Sequence, residues 1–408
     1  MNKTLAGLLI AGATQHALAQ TTTQLPAVQV VGDYAADKAN STTQADIALA
    51  DYPASLQVVP AEVLQDRGVT RTEQLVDNVS GVHAEASYGG NGATFFNIRG
   101  FSESNGLRDG FRNYGYYAFR DVQNIAQVEV FKGPAGALYG GIGSVGGYVN
   151  TVSKQPQQEN AGEISQTVGS DALRRTTWDL NRAVSGDVSL RLNGAVEKND
   201  TFRDNGGYTS WSIAPAATWD NHAGTSLTLL TEFNHLRRDG FDFGIPAIQA
   251  YRALSRTRYF GLRDGVDDTV SGDYGRNDTR AATLLFSHAL SADWTLHLGG
   301  QYVSASQRST QTFPDSTTPS GSRLAYSVYA NADEDSRQYS ARAELAGNVQ
   351  LADMRHQIRT GVDYGYLQQG GNGSDVYTMD IDLFDPAYVS PLVASGSLES
   401  HQGQGKDY

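Results

Sequence analysis

The residues Gly141-Ile142-Gly143-Ser144-Val145-Gly146 carry the G-x-G-x-x-G spacing of a dinucleotide-binding turn. Such a turn needs a strand immediately before its first glycine, a helix opening at its last, and an acidic residue about 20 positions on. Here the strand-like Val128–Lys132 ends well before Gly141, and the β-branched Tyr148–Lys154 follows Gly146. Gln166 occupies the acidic position, with Glu163 only nearby. The spacing therefore predicts no nucleotide site. The run Gly133, Gly136, Gly140, Gly141, Gly143, Gly146 and Gly147 reads as backbone geometry: tight turns and close approach between these strands and an enclosing wall.

Other catalytic signals are weak. Eight histidines are scattered without an H-E-x-x-H spacing, there is no cysteine, and no G-x-S-x-G turn occurs. Asp267-Asp268 lies in a polar loop and reads as a solvated or ion-binding face. No catalytic residue, metal site or cofactor is predicted. Recognition chemistry is richer. Asp109–Asp121, DGFRNYGYYAFRD, sets Phe111, Tyr114, Tyr116, Tyr117 and Phe119 beside Arg112 and Arg120. Rings give flat amphipathic contact and guanidinium groups give charge-assisted hydrogen bonds to ligand oxygens. Tyr88, in the Gly-rich Ala86–Phe96, is a further candidate. The alternative for each ring is packing between parts of the protein itself.

The elements that must position these groups fall into two textures. Tyr52–Pro156 has the pattern of a compact α+β domain. SLQVVP, TFFNIRGF, AQVEVFKG and YVNTVSK are strand-like. AEVLQDRG is a short helix closed by Gly68, and TRTEQLVDNVSG a second with Thr70 as N-cap and Gly81 past its end. After Pro156 a period of two takes over. Val188, Leu190, Leu192, Gly194 and Val196 share one face, and Ser189, Arg191, Asn193 and Glu197 the other. Trp294, Leu296, Leu298 and Tyr302 repeat this, as do Ile358, Thr360, Val362, Tyr364 and Tyr366. Nine strands are predicted, near 162–169, 173–184, 187–198, 208–220, 225–236, 279–290, 293–306, 336–347 and 353–368. Short links at 185–187, 220–224, 290–293 and 347–353 alternate with longer polar ones such as 237–278 and 307–335. That asymmetry is typical of membrane barrels, with tight turns on one side and large loops on the other.

Composition agrees. The 408 residues carry a net charge of −13 with no basic cluster, which argues against nucleic acid. Mean hydropathy is −0.40 and no apolar run is long enough for a spanning helix, but a barrel needs none. Residues 1–19 have the basic, apolar and A-x-A segments of a cleaved signal peptide. In the polar lead-in, residues 20–46, Ala27, Val28, Gln29, Val30 and Val31 form an isolated β-prone island. It is either a first strand of the domain or a strand that pairs with another protein's sheet edge.

Together, DYPASLQVVPAEVLQDRGVTRTEQLVDNVSGV, FNIRGF, VEVFKGPAGALYG and GGYVNTVSK resemble the plug of TonB-dependent outer-membrane receptors, the ferric-siderophore group in particular. WDLNRAVSGDVSLRLNGAVEKNDTFRD resembles the first barrel hairpin of that group. The resemblance implies an α+β plug domain (47–156) followed by an antiparallel transmembrane β-barrel segment (157–408), with nine strands of a family barrel of about 22. It implies an outer-membrane location in contact with lipid, a ferric siderophore as ligand, and a TonB box at Ala27–Val31 pairing with TonB of the inner-membrane energising complex. Phe111, Arg112, Tyr114, Tyr116, Tyr117, Phe119, Arg120 and Tyr88 become ligand-contact candidates. Arg99 and Lys132 hold positions where family plugs carry cations that meet acidic wall residues. With too few strands to close a wall, the chain is expected to be an N-terminal part, not transport-competent by itself. The alternatives are a receptor for cobalamin, haem or an oligosaccharide, or a soluble plug-only binding module.

Overall fold

The computed structural model describes residues 55–85, 94–103, 106–113, 118–133, 145–240, 260–262, 272–315, 320–385, 391–398 and 404–407. The signal peptide, Ala27–Val31, Tyr88, Tyr114, Tyr116, Tyr117 and the central glycines of the opening run lie outside these residues.

The first part is the expected α+β domain. β1 (Ser55–Pro60) leads into α1 (Ala61–Asp66), and Gly68 ends the turn at φ +64°. The second predicted helix is shorter than expected. It is a 3-10 helix, Thr72–Val76, with Arg71 and not Thr70 at its N-cap. The reason is local: the Gln74 side chain accepts from the backbone N–H of both Thr70 and Arg71, and that closes the turn early. The predicted strand TFFNIRGF is also divided. β2 (Val82–Glu85), β3 (Phe95–Ile98) and β4 (Phe101–Glu103) form a three-stranded sheet, and Arg99 and Gly100 both take positive φ at the β3–β4 turn. Two positive-φ residues match the right-handed twist of a hairpin.

A second sheet has the order β1-β7-β8-β5-β6, with β5 (Leu107–Arg108), β6 (Phe111–Arg112), β7 (Ile125–Lys132) and β8 (Gly147–Ser153). Between the sheets, Val59, Leu64, Leu75, Val76, Ile98 and Val128 belong to one buried apolar core. Each such side chain contributes about 1.5–3 kcal/mol on burial. The glycine run opens and closes the β7–β8 connection: the Gly133 N–H donates to the Gly146 carbonyl at 2.8 Å. A Cβ on Gly146 would lie 2.5 Å from the Ile98 carbonyl, and one on Gly147 1.9 Å from that of Phe131. A strand, not a helix, follows. The close approach is made within this domain, where the sequence suggested an approach to the wall.

The remainder is one antiparallel sheet built in chain order: β9 (Ala161–Val168), β10 (Arg174–Ala183), β11 (Val188–Asp200), β12 (Gly207–Asp220), β13 (Thr225–Asp239), β14 (Tyr274–Ala289), β15 (Trp294–Pro314), β16 (Arg323–Leu351) and β17 (Met354–Asp382). Two short strands, β18 (Val393–Leu398) and β19 (Gln404–Asp407), pair with β17. Among the described residues the sheet does not close on itself. Its burial is inverted relative to a soluble protein. On β11, Ser189, Asn193 and Glu197 are at most 1% exposed, while Leu190 and Val196 are 45% and 49% exposed. Polar residues thus face the plug and apolar ones face out, as a lipid-facing wall requires.

The last three wall strands run further than predicted. Most of 307–335, expected as a loop, is strand: Gln311–Pro314 pair with Tyr326–Tyr329, and β16 and β17 reach 29 residues each. About 9–11 residues suffice to span a bilayer. The extra length carries its own apolar cluster of Leu324, Tyr326, Val328, Met379 and Ile381, joined by Phe260 and Leu262. That cluster stabilises pairing that the polar sequence Asn331–Asp335 does not announce.

Candidate functional site

Plug and wall meet along a column of buried charge. Near its centre, Arg120 Nε lies 3.1 Å from Glu232 Oε2 on β13, with both side chains 4% exposed. The Arg120 Nη1 also donates to the Thr151 carbonyl at 3.0 Å and to Thr151 Oγ1, and its Nη2 to Ser153 Oγ. Arg108 Nη1 approaches the other Glu232 oxygen at 3.7 Å. Asn124 and Asn234 donate to the same carboxylate at 2.6 and 2.7 Å. Burial pushes the Arg108 pKa down, and the nearby Glu232 carboxylate opposes that fall. Glu232 is thus a four-way acceptor holding two plug cations.

Towards the long-loop end, Arg175 on β10 bridges plug Asp121 at 2.6 Å and wall Glu197 at 2.7 Å. Tyr208 donates to Glu197, and Arg71 of the plug sits 4.2 Å above its ring. Towards the short-turn end, Lys154 and Arg191 share Asp179, each at 2.8 Å. Buried charges of this kind persist only when paired and hydrogen-bonded. Asp121 also caps the short 3-10 turn Val122–Asn124 by accepting from the Gln123 N–H, which fixes the carboxylate that Arg175 reads.

The hairpin β5–β6 is docked separately. Asp109 and Gly110 take φ +53° and +81°, the two-residue turn for which Asp-Gly is suited. Phe111 is 4% exposed and lies against Gly299 on β15, where a Cβ would come within 2.6 Å of its ring. Arg342 covers the ring at 5.2 Å and donates to the Gly110 carbonyl at 3.1 Å. Gln301 and Gln338 donate to the carbonyls of Arg108 and Arg112.

Of the predicted contact residues, Phe111 and Arg120 are therefore buried in the plug–wall seam. Arg112 is half-buried in β6. Phe119 is half-buried and lines a small space with Arg71, Tyr208 and Arg238. Arg99 is exposed in the β3–β4 turn. Lys132 turns back on the plug, reaching Ser80 O at 3.3 Å and Gln57 Oε1 at 3.5 Å; burial and then nearby Arg99 lower its pKa. The cations tied to this wall are instead Arg108, Arg120 and Lys154. Sequence reading took Arg120 for a ligand contact and gave no seam role to Arg108, Lys154 or the partners Asp179, Glu197 and Glu232. A usable signal was present for two of the carboxylates: Glu197 and Glu232 occupy inward positions of the alternating strands β11 and β13.

Residues 48–148 match the family model described as "TonB-dependent Receptor Plug Domain". The chain is 33% identical over 340 residues to the metal-pseudopaline receptor CntO of Pseudomonas aeruginosa, covering 82% of this chain and 46% of that receptor. The chain carries the plug of a TonB-dependent receptor. The catecholate siderophore receptor Fiu of Escherichia coli K12 is a further relative of this family, 28% identical over 364 residues, covering 83% of this chain and 47% of Fiu. The open-form crystal structure of Fiu superposes with a TM-score of 0.75 at 23% identity, over 90% of this chain and 58% of that one. The ferripyoverdine receptor of P. aeruginosa gives 0.79 at 17% identity, over 93% and 51%. TonB-dependent receptors are outer-membrane receptors rather than enzymes, and the inverted wall belongs to that setting. The chain spans about half the length of the receptors it matches.

Proposed function

We propose that this chain serves in the reception of ferric siderophores at the outer membrane, energised through TonB and its inner-membrane complex. The observation that carries the reading is the alignment, over more than four-fifths of the chain, with receptors named for a metal-pseudopaline and a catecholate siderophore. The aromatic Asn113–Phe119, flanked in sequence by Arg112 and Arg120, supports it as the ligand-facing segment. Tyr114, Tyr116 and Tyr117 are its ring contacts, with Arg112 beside them in sequence and Tyr88 as a further contact. Ala27–Val31 pairs with TonB by strand addition, which needs only an extended backbone and small β-branched residues.

The test is ligand titration of the detergent-solubilised chain, read by intrinsic tryptophan fluorescence. A saturable response to ferric catecholate or carboxylate chelates is expected, weakened when Tyr114, Tyr116 and Tyr117 are replaced together. A flat response to every ferric chelate, with saturable quenching by cobalamin or haem, would reassign the ligand. For the partner, Gln29→Cys in this cysteine-free chain should crosslink to a cysteine in TonB, and Val30→Pro should abolish the crosslink.

A further inference from the structure

The outward face of the wall carries a row of cations along one line of paired residues. Arg174 pairs with Lys198 across β10 and β11, and Lys198 with Thr209 on β12. Thr209 pairs with Arg237 on β13, Arg237 with Arg276 on β14, and Arg276 with Arg308 on β15. Every position in this row is exposed, and all but Thr209 are cationic. A second row runs beneath it. Arg280 pairs with Ser304 on β15, and Ser304 with Arg337 on β16, and both arginines are exposed.

The rings give the level of this belt. Trp211 and Trp219 lie towards the two ends of β12, 43% and 42% exposed. The exposed residues between their levels include Ile213, Leu229 and Phe233. Aromatic girdles flank the apolar band of a membrane wall at both interfaces. Trp219 adjoins the short 220–224 turn, so Trp211, stacked on His235 at 6.0 Å, marks the interface on the long-loop, outer side. Thr209 and Arg237 are the next outward-facing pair beyond Trp211 and His235. The first row therefore lies at the headgroup level of the outer leaflet. Strands of such a wall tilt, so a row of paired residues climbs from strand to strand, and Arg280 and Arg337 bring the belt back towards the interface.

Like charges directly opposite one another destabilise a sheet. Arg174–Lys198, Arg237–Arg276 and Arg276–Arg308 are such pairs. Acidic neighbours offset part of the repulsion: Asp239 lies 3.0 Å from Arg237, Asp278 3.0 Å from Arg276 and Asp333 3.5 Å from Arg308. Solvent-exposed ion pairs of this kind contribute little. Among the described residues, Arg174, Lys198, Arg280 and Arg337 make no ion pair at all.

We propose that this belt is a docking surface for the phosphate groups of the outer-leaflet lipid, a glycolipid whose head carries more than one phosphate. The proposal rests on the outer-membrane reading of the wall and is independent of the cargo. Charge complementarity carries it. Neighbouring strands are about 4.8 Å apart, so adjacent guanidinium groups reach one phosphate together, and each binds it through two parallel N–H···O bonds. Trp211 and Phe233, just below, offer rings to the upper part of the acyl chains. The bound phosphates cancel the repulsion within the rows and make the lipid part of what holds β10–β15 in register.

The test uses the whole chain in detergent micelles, with fluorescent lipid A bearing two phosphates as the probe. Saturable binding is expected. It should weaken about tenfold or more when the lipid is stripped of its phosphates, and equally in the triple variant Arg237→Gln, Arg276→Gln, Arg308→Gln. Arg280→Gln with Arg337→Gln serves if the triple variant does not fold. Arg182→Gln with Arg355→Gln, which removes exposed cations near the short turns, should bind as the parent does. Equal affinity for the phosphate-free lipid, or for phosphatidylglycerol with its single phosphate, would overturn the proposal, as would a loss in the short-turn control equal to that in the belt variants. The assay contains no ferric chelate, so its failure is separable from a failure of ferric-siderophore binding.

Discussion

Arg120 of the plug and Glu232 of the wall meet at 3.1 Å across a seam from which both are almost fully excluded from solvent. Their chain separation is 112 residues, so the contact is wholly tertiary. It ties the plug to the middle of the wall and leaves Glu232 with Arg108 as a second cation.

Removing that carboxylate should be costly. Glu232→Ala leaves two guanidinium groups buried without their counter-charge, and breaking a buried pair in this way costs about 3–5 kcal/mol. Glu232→Gln, which keeps hydrogen-bonding capacity but not charge, should cost less. Chemical denaturation of the plug followed by limited proteolysis would check both. Proteolytic resistance equal to the parent's in Glu232→Ala would show that the seam does not hold the plug.

The outward face of β13 should behave as a lipid surface. Leu229 is 43% exposed there, while its neighbour Thr228 faces the lumen at 7%. An arginine near the bilayer midplane costs a transmembrane strand about 2–4 kcal/mol. Leu229→Arg should therefore lose bilayer insertion, measured by lipid-titration folding assays. Insertion matching the parent's would place this face away from lipid.

Gly194 marks a close crossing in the first wall hairpins. A Cβ there would lie 2.4 Å from both the Ser212 carbonyl and the Trp178 ring. Gly194→Val should destabilise the β10–β11–β12 pairing by the roughly 1–3 kcal/mol typical of overpacking. Thermal unfolding in detergent reads this out, and an unchanged midpoint would mean the tryptophan simply moves aside.

Acid should loosen the small plug sheet. Glu85 accepts from Ser102 and Asn97, and these hydrogen bonds lower its pKa below the ordinary 4.5. A lowered carboxylate pKa contributes stability that is fully present above that ordinary value and is lost as pH falls through the lowered one. The stability difference between the parent and Glu85→Gln should thus be present at neutral pH and shrink only below about pH 4.5. A difference that persists unchanged to pH 2 would assign it to packing rather than ionisation.

Much of this was readable from local pattern. The alternation from Val188 to Val196 placed β11 and told its two faces apart, because a strand's period is fixed at two by backbone geometry. The links at 185–187 and 290–293 ordered the hairpins. The strand after Gly146 ruled out a nucleotide turn. The upper halves of β15, β16 and β17 were less legible. Their sequences include Gly370-Gly371-Asn372-Gly373 and Asn331–Asp335, which read as loop, yet they are held as strand by the neighbouring chains and by an apolar cluster that includes Phe260 and Leu262.

The sequence by itself determined the two-part architecture, the inside-out polarity of the wall and its strand order, because each follows from short-range periodicity and turn chemistry. Only the tertiary structure decided what the charges do. Arg120 reads locally as one more cation in an aromatic loop, and Glu232 as one more inward polar residue. A buried ion needs a partner to leave water, and that partner can be supplied by a distant strand that closes over it. The same holds for Phe111, whose role depends on a missing side chain at Gly299, far away along the chain.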